Sequence, residues 1–425
     1  MSRETNLLQH LIRFVKGTVA DVVGRDSGPL FKFCFDMVYG ILRSSSVVLN
    51  DIGHALSEEA SLKAVNNRLY SNLMKGLPPS LWSNYADLCI GMMGGRLWFA
   101  VDDSDVQKPY GKHFEALSLV RDGSSVKKND LGMGYMVTSI VGATAKTKHP
   151  MCLFTRIHSS AERDYLSLND VTNEALRAIC ARLRPWSATF AFDRGYDDAK
   201  LMRLMLSLSQ HFVIRMQRDR WLRYKGRKTK TSELSAKRKG KIVVPLTYKG
   251  KETYVKASHV VCKIPGIRAP MTVVFSYMEG KEEPMVLMTD SKVSSKEDLI
   301  GIVLSYHSRW KIEEHFRFKK VQYGFENFRV KSLDSSNFLA FLLDVALLVL
   351  DAVVERKETN SLYSELLSRA KVVREKVYLE FYRMATGAQA VLASSEKGVK
   401  NYQNIRKPPD NQLRLFNVKD IKYTA

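Results

Sequence analysis

A chain of 425 residues with 45% hydrophobic content is too long for one compact core and ordinary for a globular protein of two or three domains. Its charge is unusual: 66 Lys and Arg against 44 Asp and Glu leave +22, which points to a polyanionic partner, either nucleic acid or an anionic membrane surface. Five scattered cysteines with no CxxC pair argue against a disulfide framework or a zinc knuckle, and the N-terminal residues lack a signal-peptide pattern, so the cytoplasm is the expected compartment.

Residues 1–95 read as helical, because Leu7, Leu8, Leu11, Ile12 and Val15 recur at helical spacing. Asn50 or Asp51 can cap a short helix, and Ser57 or Ser61 another that carries Lys63, Asn66, Asn67 and Arg68. Such a pair could enter a major groove; an ordinary bundle with a solvated face competes with that reading. At Leu97-Trp98-Phe99-Ala100-Val101 the pattern changes to a run expected of a strand buried on both faces. Strands over Tyr135–Ala143 and Met151–Ile157, a helix over roughly Arg163–Leu183, and strands at Thr189–Phe192 and Phe212–Arg215 around a further helix predict a mixed α/β sheet.

From Arg218 to Lys256 there are 14 Lys/Arg and 3 Asp/Glu, a local excess of 14 − 3 = +11. That is half the net charge of the chain, and it favours DNA contact over a merely solvated loop. The stretch is β-rich in its second part (Ile242–Leu246, Thr253–Val261, Met271–Tyr277) and returns to strand character at Pro284–Thr289. Ser305 to Phe328 reads as one helix, with only Gly324 to break it. Asn337–Val354 is the most apolar run, yet Asp344 and Asp351 share one face of it, so a buried helix is expected and not a membrane span. Helices follow, then a Pro408-Pro409 loop and a polar tail.

At about 100° per residue, Tyr306, Arg309, Glu313 and Lys320 fall within a sector of roughly 60° on the predicted helix. A carboxylate there could hold a divalent cation while the cations grip phosphates; an ordinary i, i+4 ion pair is the plain alternative. Two further acidic sites follow strands, at Asp102-Asp103-Ser104-Asp105 and at Asp193-Arg194. Strand ends in open α/β sheets open onto the ligand crevice. Three carboxylates can hold two Mg²⁺ or Mn²⁺ ions about 3.5–4 Å apart, and an all-oxygen set suits Mg²⁺ better than zinc. Asp105 reads as a turn residue and Asp197 or Asp198 as a helix cap, while Glu314 points about 100° away from Glu313. His307 and His315 have no partners at ligand spacing.

The spacing Tyr306-x2-Arg309-x3-Glu313-x6-Lys320, with Trp310 and Ile312-Glu313-Glu314 inside it, resembles gap for gap the signature of bacterial insertion-sequence DDE transposases of the insertion-sequence-four family. The resemblance covers roughly Leu97 to Leu333. It implies a ribonuclease-H-like catalytic core over 96–333, with a β-rich basic insertion at about 217–285. An N-terminal helical DNA-binding domain (1–95) and a helical C-terminal region (334–425), a dimerisation surface or simply core helices, would flank it.

The resemblance also implies Asp103, Asp193 and Glu313 as the catalytic acids and metal ligands for two Mg²⁺ or Mn²⁺ ions. Asp103-Ser104 fits the family's first acid, with Asp102 as the second choice. Arg215, Tyr306, Arg309 and Lys320 would contact DNA. The place of the family's base-flipping Trp, after Pro284, holds Met285; stacking on Met285, substitution by Trp221 or Trp310, and no flipped base all stay open. The implied activity is cut-and-paste transposition. The enzyme would bind terminal inverted repeats, cleave double-stranded DNA at the element ends and join them to target DNA, as a homodimer in the synaptic complex, on the bacterial nucleoid and without a membrane. A related nuclease without strand transfer and a catalytically silent transposase-derived DNA-binding protein are the alternatives.

Overall fold

Helices open the chain: α1 (Arg3–Val23), α2 (Pro29–Ser44), α3 (Leu49–Leu56), α4 (Leu62–Leu73) and α5 (Pro79–Met93). The computed structural model describes residues 3–121, 123, 130–184, 186–248, 251–358, 360–372 and 380–403. The Pro408-Pro409 loop and polar tail lie outside them. Ser61 caps α4 by accepting from the Ala64 N–H. Arg68, offered by the sequence as a base-reading residue, is instead ion-paired with Glu58 at 2.5 Å and Asp36 at 3.1 Å, whereas Lys63 and Asn67 remain exposed.

The sheet follows: β1 (Leu97–Gln107), β2 (Ser118–Arg121), β3 (Leu131–Ala143), β4 (Pro150–His158), then α6 (Leu168–Leu183), β5 (Ala188–Phe192), α7 (Ala199–Ser207) and β6 (His211–Arg215). β5 is buried at all five positions, as its unbroken apolar sequence requires. β4, β3 and β1 pair antiparallel, and β1, β5 and β6 pair parallel, giving the order β4-β3-β1-β5-β6. This is a ribonuclease-H-like arrangement. The parallel strands are linked through helices on the sheet faces, and their carboxyl ends point the same way.

A hairpin, β7 (Trp221–Tyr224) and β8 (Arg227–Lys230), and a short α8 (Thr231–Ala236) precede β9 (Ile242–Tyr248), β10 (Lys251–Cys262), β11 (Met271–Met278) and β12 (Met285–Thr289). The β-rich insertion expected from the sequence is not separate from the sheet. β12 pairs with β6, and β11, β10 and β9 follow it outward, so ten strands share one sheet among the described residues. β7 and β8 form their own two-stranded ribbon, bridged to the chain just after β10 through Arg223 and Lys263.

The helix predicted over Ser305–Phe328 is two. α9 (Lys296–His307) ends, Ser308 and Arg309 form a turn, and α10 (Trp310–Tyr323) begins. Arg309 N–H donates to the Tyr306 carbonyl and Ile312 N–H to the Arg309 carbonyl, three-residue bonds that tighten the chain where the axis breaks. Each half serves a different surface. α9 packs Leu299, Ile302, Val303 and Tyr306 on the apolar face of β6 and β9–β12, while Ile312, Phe316 and Phe318 of α10 join the main core. Gly324, at φ +59°, ends α10 in the left-handed conformation that glycine accepts most readily.

α11 (Leu333–Glu355) is long and apolar enough to cross a membrane, but it lies buried among β4, α2, α1 and α5. α12 (Ser361–Arg369), α13 (Phe381–Ala393) and α14 (Lys400–Gln403) complete the described chain. One continuous apolar core runs from Leu7 to Tyr402, so the three regions expected from the sequence share a single interior. Each fully buried Leu or Phe of α11 contributes roughly 1.5–3 kcal/mol to it. Its acids are satisfied: Lys319 holds Asp344 at 2.9 Å, and Glu355 accepts from the Lys146 and Thr147 N–H groups.

Candidate active site

The register of the parallel strands sets the first two acids side by side. Val101 lies opposite Phe192, so the next residues, Asp102 and Asp193, come abreast where the parallel pairing of β1 with β5 ends. β1 does not stop at Val101, as its apolar run suggests, but continues to Gln107. Successive side chains of a strand point to opposite faces, and Asp102 and Asp103 therefore part company.

Asp102 faces the α9–α10 junction, where its carboxylate meets Arg309 Nη1 at 2.5 Å. Arg309 reaches on through Nη2 to Glu313 at 2.6 Å. Tyr306 OH, from the last turn of α9, donates to Asp193 Oδ1 at 3.2 Å, and Arg215, at the end of β6, stands 3.9 Å from the same oxygen. Asp103 does not join them. Its two oxygens accept from Thr138 Oγ1 and Tyr196 OH, each at 2.5 Å, and Thr138 in turn contacts His158 Nε2 at 2.9 Å. The acid the sequence ranked second is the one that stands with Asp193 and Glu313; the alternation of an unexpectedly long strand is the reason.

Four groups expected to grip DNA take different places. Arg309, Tyr306 and Arg215 all contact the acids, and the Nε atoms of Arg309 and Arg215 are buried without a partner. Lys320 is occupied elsewhere: its ammonium donates to the Asp105 carbonyl at 2.7 Å and pairs with Glu326 at 2.8 Å, tying α10 to the end of β1. Glu314 pairs with Arg317, off the site as expected. Of the two acids expected to cap the next helix, Asp198 takes the N-cap position of α7 without a side-chain bond, while Asp197 holds Arg220 at 2.8 Å and the Gln217 N–H, fixing the start of the hairpin.

The electrostatics follow from this crowding. Burial pushes Asp102 up to about 6, against the pull of Arg309 and the Asp103 N–H and helped by the neighbouring Asp103 and Asp193 carboxylates. Burial disfavours the Arg309 guanidinium, but Asp102, Tyr306, Asp193 and Glu313 outweigh it and raise its pKa. Tyr306 is pushed up to about 12, chiefly by burial, and is a neutral donor at neutral pH.

Residues 169–350 match the transposase DDE domain family. That match supports a DDE transposase. It takes in Asp193, Arg215 and all of α9 and α10, and begins after Asp102. No curated protein matches the chain. Among solved structures, the chain is similar to the piggyBac transposase synaptic complex with hairpin DNA, with 11% identity and a TM-score of 0.44 over 95% of this chain and 84% of that one.

The donor set of Asp102, Asp193 and Glu313 suits a hard divalent cation: oxygen ligands, one of them pushed toward protonation chiefly by burial, with a guanidinium already bridging two of them. A second group, Cys152, His315 and Asp344, brings its ligand atoms within 4.8 Å of one another. It lies in the core, and the Lys319 ammonium already neutralises Asp344 there. This cluster reads as structural, and His315, pulled well down by burial, stays neutral in it.

Of the three aromatic or sulfur candidates for base stacking, Trp221 is the exposed one. Lys228 and Lys230 lie over its ring at 4.5 and 5.4 Å from the centroid. Sequence reasoning missed the roles of Thr138 and Tyr196. A strand reading carried through to Gln107 would have given the facing of Asp103, but its partners come from elements distant in the chain.

Proposed function

We propose that this chain is a cut-and-paste DNA transposase whose acids are Asp102, Asp193 and Glu313. The observation that carries this reading is that Arg309 joins Asp102 of β1 to Glu313 of α10 while Asp193, next after β5, lies abreast of Asp102. Two Mg²⁺ or Mn²⁺ ions held by these acids would supply an activated water or 3′-hydroxyl and stabilise the leaving oxygen.

The protein's own groups then divide the remaining work. Arg309 and Arg215 each carry an unpartnered N–H beside the acids, suited to a phosphate oxygen once the carboxylates are otherwise neutralised. Tyr306 donates a neutral hydroxyl hydrogen bond at the same place. The exposed Trp221 with its lysines offers a stacking surface for a base. The basic stretch from Arg218 to Lys256 fits the flanking duplex. Synapsis of two element ends calls for two copies of the chain.

The test is cleavage and joining of DNA that carries the terminal inverted repeats flanking its gene, with Mg²⁺, with EDTA, and with Glu313→Gln. Metal-dependent cutting followed by joining, both lost in the variant, is the expected result. Cutting without joining replaces this reading with a nuclease, and binding of the ends without cutting replaces it with a silent DNA-binding protein.

A further inference from the structure

Along β1 the face that bears Asp102 continues through Ala100 to Trp98, about 13 Å back along the strand. There a cavity of about 570 Å³ opens between the start of β1, the turn joining β3 to β4, and the outer side of the α9–α10 junction. Its volume lies in the range of small-molecule sites, roughly 300–1,000 Å³.

Three cations line it, Arg96, Lys148 and Lys311, and no carboxylate does. None of the three makes an ion pair with an acid among the described residues; the Lys311 ammonium donates to the Lys148 carbonyl. The indole Nε1 of Trp98 is buried in the same wall with no hydrogen-bond partner. Arg96 also acts on Asp298 outside the cavity; the two lysines, gathered without an ion-pair partner beside an unsatisfied donor, are arranged for an anion. The cavity is far roomier than a bare phosphate needs, and Trp98 and Leu304 give it an apolar side.

We propose that this cavity binds a nucleotide, with its phosphate between Lys148 and Lys311 and its base against Trp98. The nucleotide could be part of a DNA strand leaving the acids across the α9–α10 junction, which rests on the function proposed above, or it could be free, which does not.

The experiment measures equilibrium binding of deoxyadenosine monophosphate, inorganic phosphate and a 15-nucleotide single strand to the full chain at fixed salt. The variants are Lys311→Gln, Lys148→Asn, Lys311→Arg and, as a control for general charge, the exposed Lys75→Gln. Lys148 is exposed, so its variant keeps the test open if Lys311→Gln does not fold.

Either glutamine or asparagine variant is expected to weaken binding about tenfold or more, as for loss of a charge-assisted hydrogen bond, while Lys311→Arg and Lys75→Gln stay near wild type. A loss that includes the single strand assigns a strand-borne nucleotide; a loss confined to the monophosphate assigns a free one. Unchanged binding of both overturns the proposal, and so does inorganic phosphate binding as tightly as the monophosphate. Nucleotide binding is read without cleavage or joining, so this result and the cleavage result stand or fall separately.

Discussion

On one side of β1, Asp102 sits among charges: Arg309 touches it, Glu313 shares that guanidinium, and Asp193 lies abreast on β5. On the other side, its neighbour Asp103 is held by two neutral hydroxyls, Thr138 and Tyr196, at ordinary hydrogen-bond distance. Both carboxylates are half-buried and both have raised pKa values from burial. The difference lies in what compensates them. Neutral donors fixed by neighbouring elements leave Asp103 little to offer a newcomer, whereas Asp102 is balanced by an arginine that must be exchanged before a cation can enter. Adjacent residues of the same type can thus sit in a neutral, fully bonded niche and in a charged one.

The largest effect should come from the acids themselves. Asp102→Asn and Glu313→Gln should each lower DNA cleavage by more than about 100-fold, because even outer-shell partners of a metal cost 10–100-fold. Asp103→Asn should retain most cleavage; an inactive Asp103→Asn beside an active Asp102→Asn would reverse the comparison. Next in size is the anchor of α10. Lys319→Met leaves the buried Asp344 without its ion partner and should cost about 3–5 kcal/mol in urea unfolding. A midpoint that does not move would mean that α10, and Glu313 with it, owes nothing measurable to this ion pair.

Tyr196→Phe removes one of the two hydroxyls on Asp103 and should cost about 1–3 kcal/mol of stability. Cleavage under saturating metal should be nearly unchanged. A large loss of cleavage would show that the Asp103 niche positions Asp102 through the shared strand end, where the Asp103 N–H donates to Asp102 Oδ1 at 3.0 Å. The smallest effect lies away from both faces, where His211 Nδ1 meets Asp290 at 2.7 Å. The hydrogen bond to Asp290 raises the His211 pKa. Its contribution is therefore fully present below the unfolded value near 6.5 and fades as pH rises through the folded value. Thermal melts of wild type and His211→Gln should differ at pH 6 and converge as pH rises through the raised folded value.

Much of this was legible from residue order. The apolar runs at Leu97–Val101, Thr189–Phe192 and Phe212–Arg215 announced buried strands, and acids following two of them marked the crevice end of the sheet. Three things were not legible. Polar residues from Asp102 to Gln107 hid the second half of β1, since they pair with β3 without an apolar alternation. The turn at Ser308-Arg309 contains no Gly or Pro; two separate packing surfaces, not a local breaker, split the helix. Finally, the union of the inserted strands with the main sheet depends on β12 meeting β6, a pairing of segments some seventy residues apart, which no local pattern reports.

The placement of α11 bears on how the protein can be handled. Its apolar length forms a wall for the core behind β4, and Asp344, Asp351 and Glu355 reach from it to α10, to His149 and to the turn after β3. Cutting the chain near residue 333 would strip that wall away. The remaining piece would display an apolar trench on the back of its main sheet and be prone to self-association. Expression trials on a fragment trimmed near residue 333 should therefore yield aggregates, and dissection of this molecule is better done by point substitution in the intact chain.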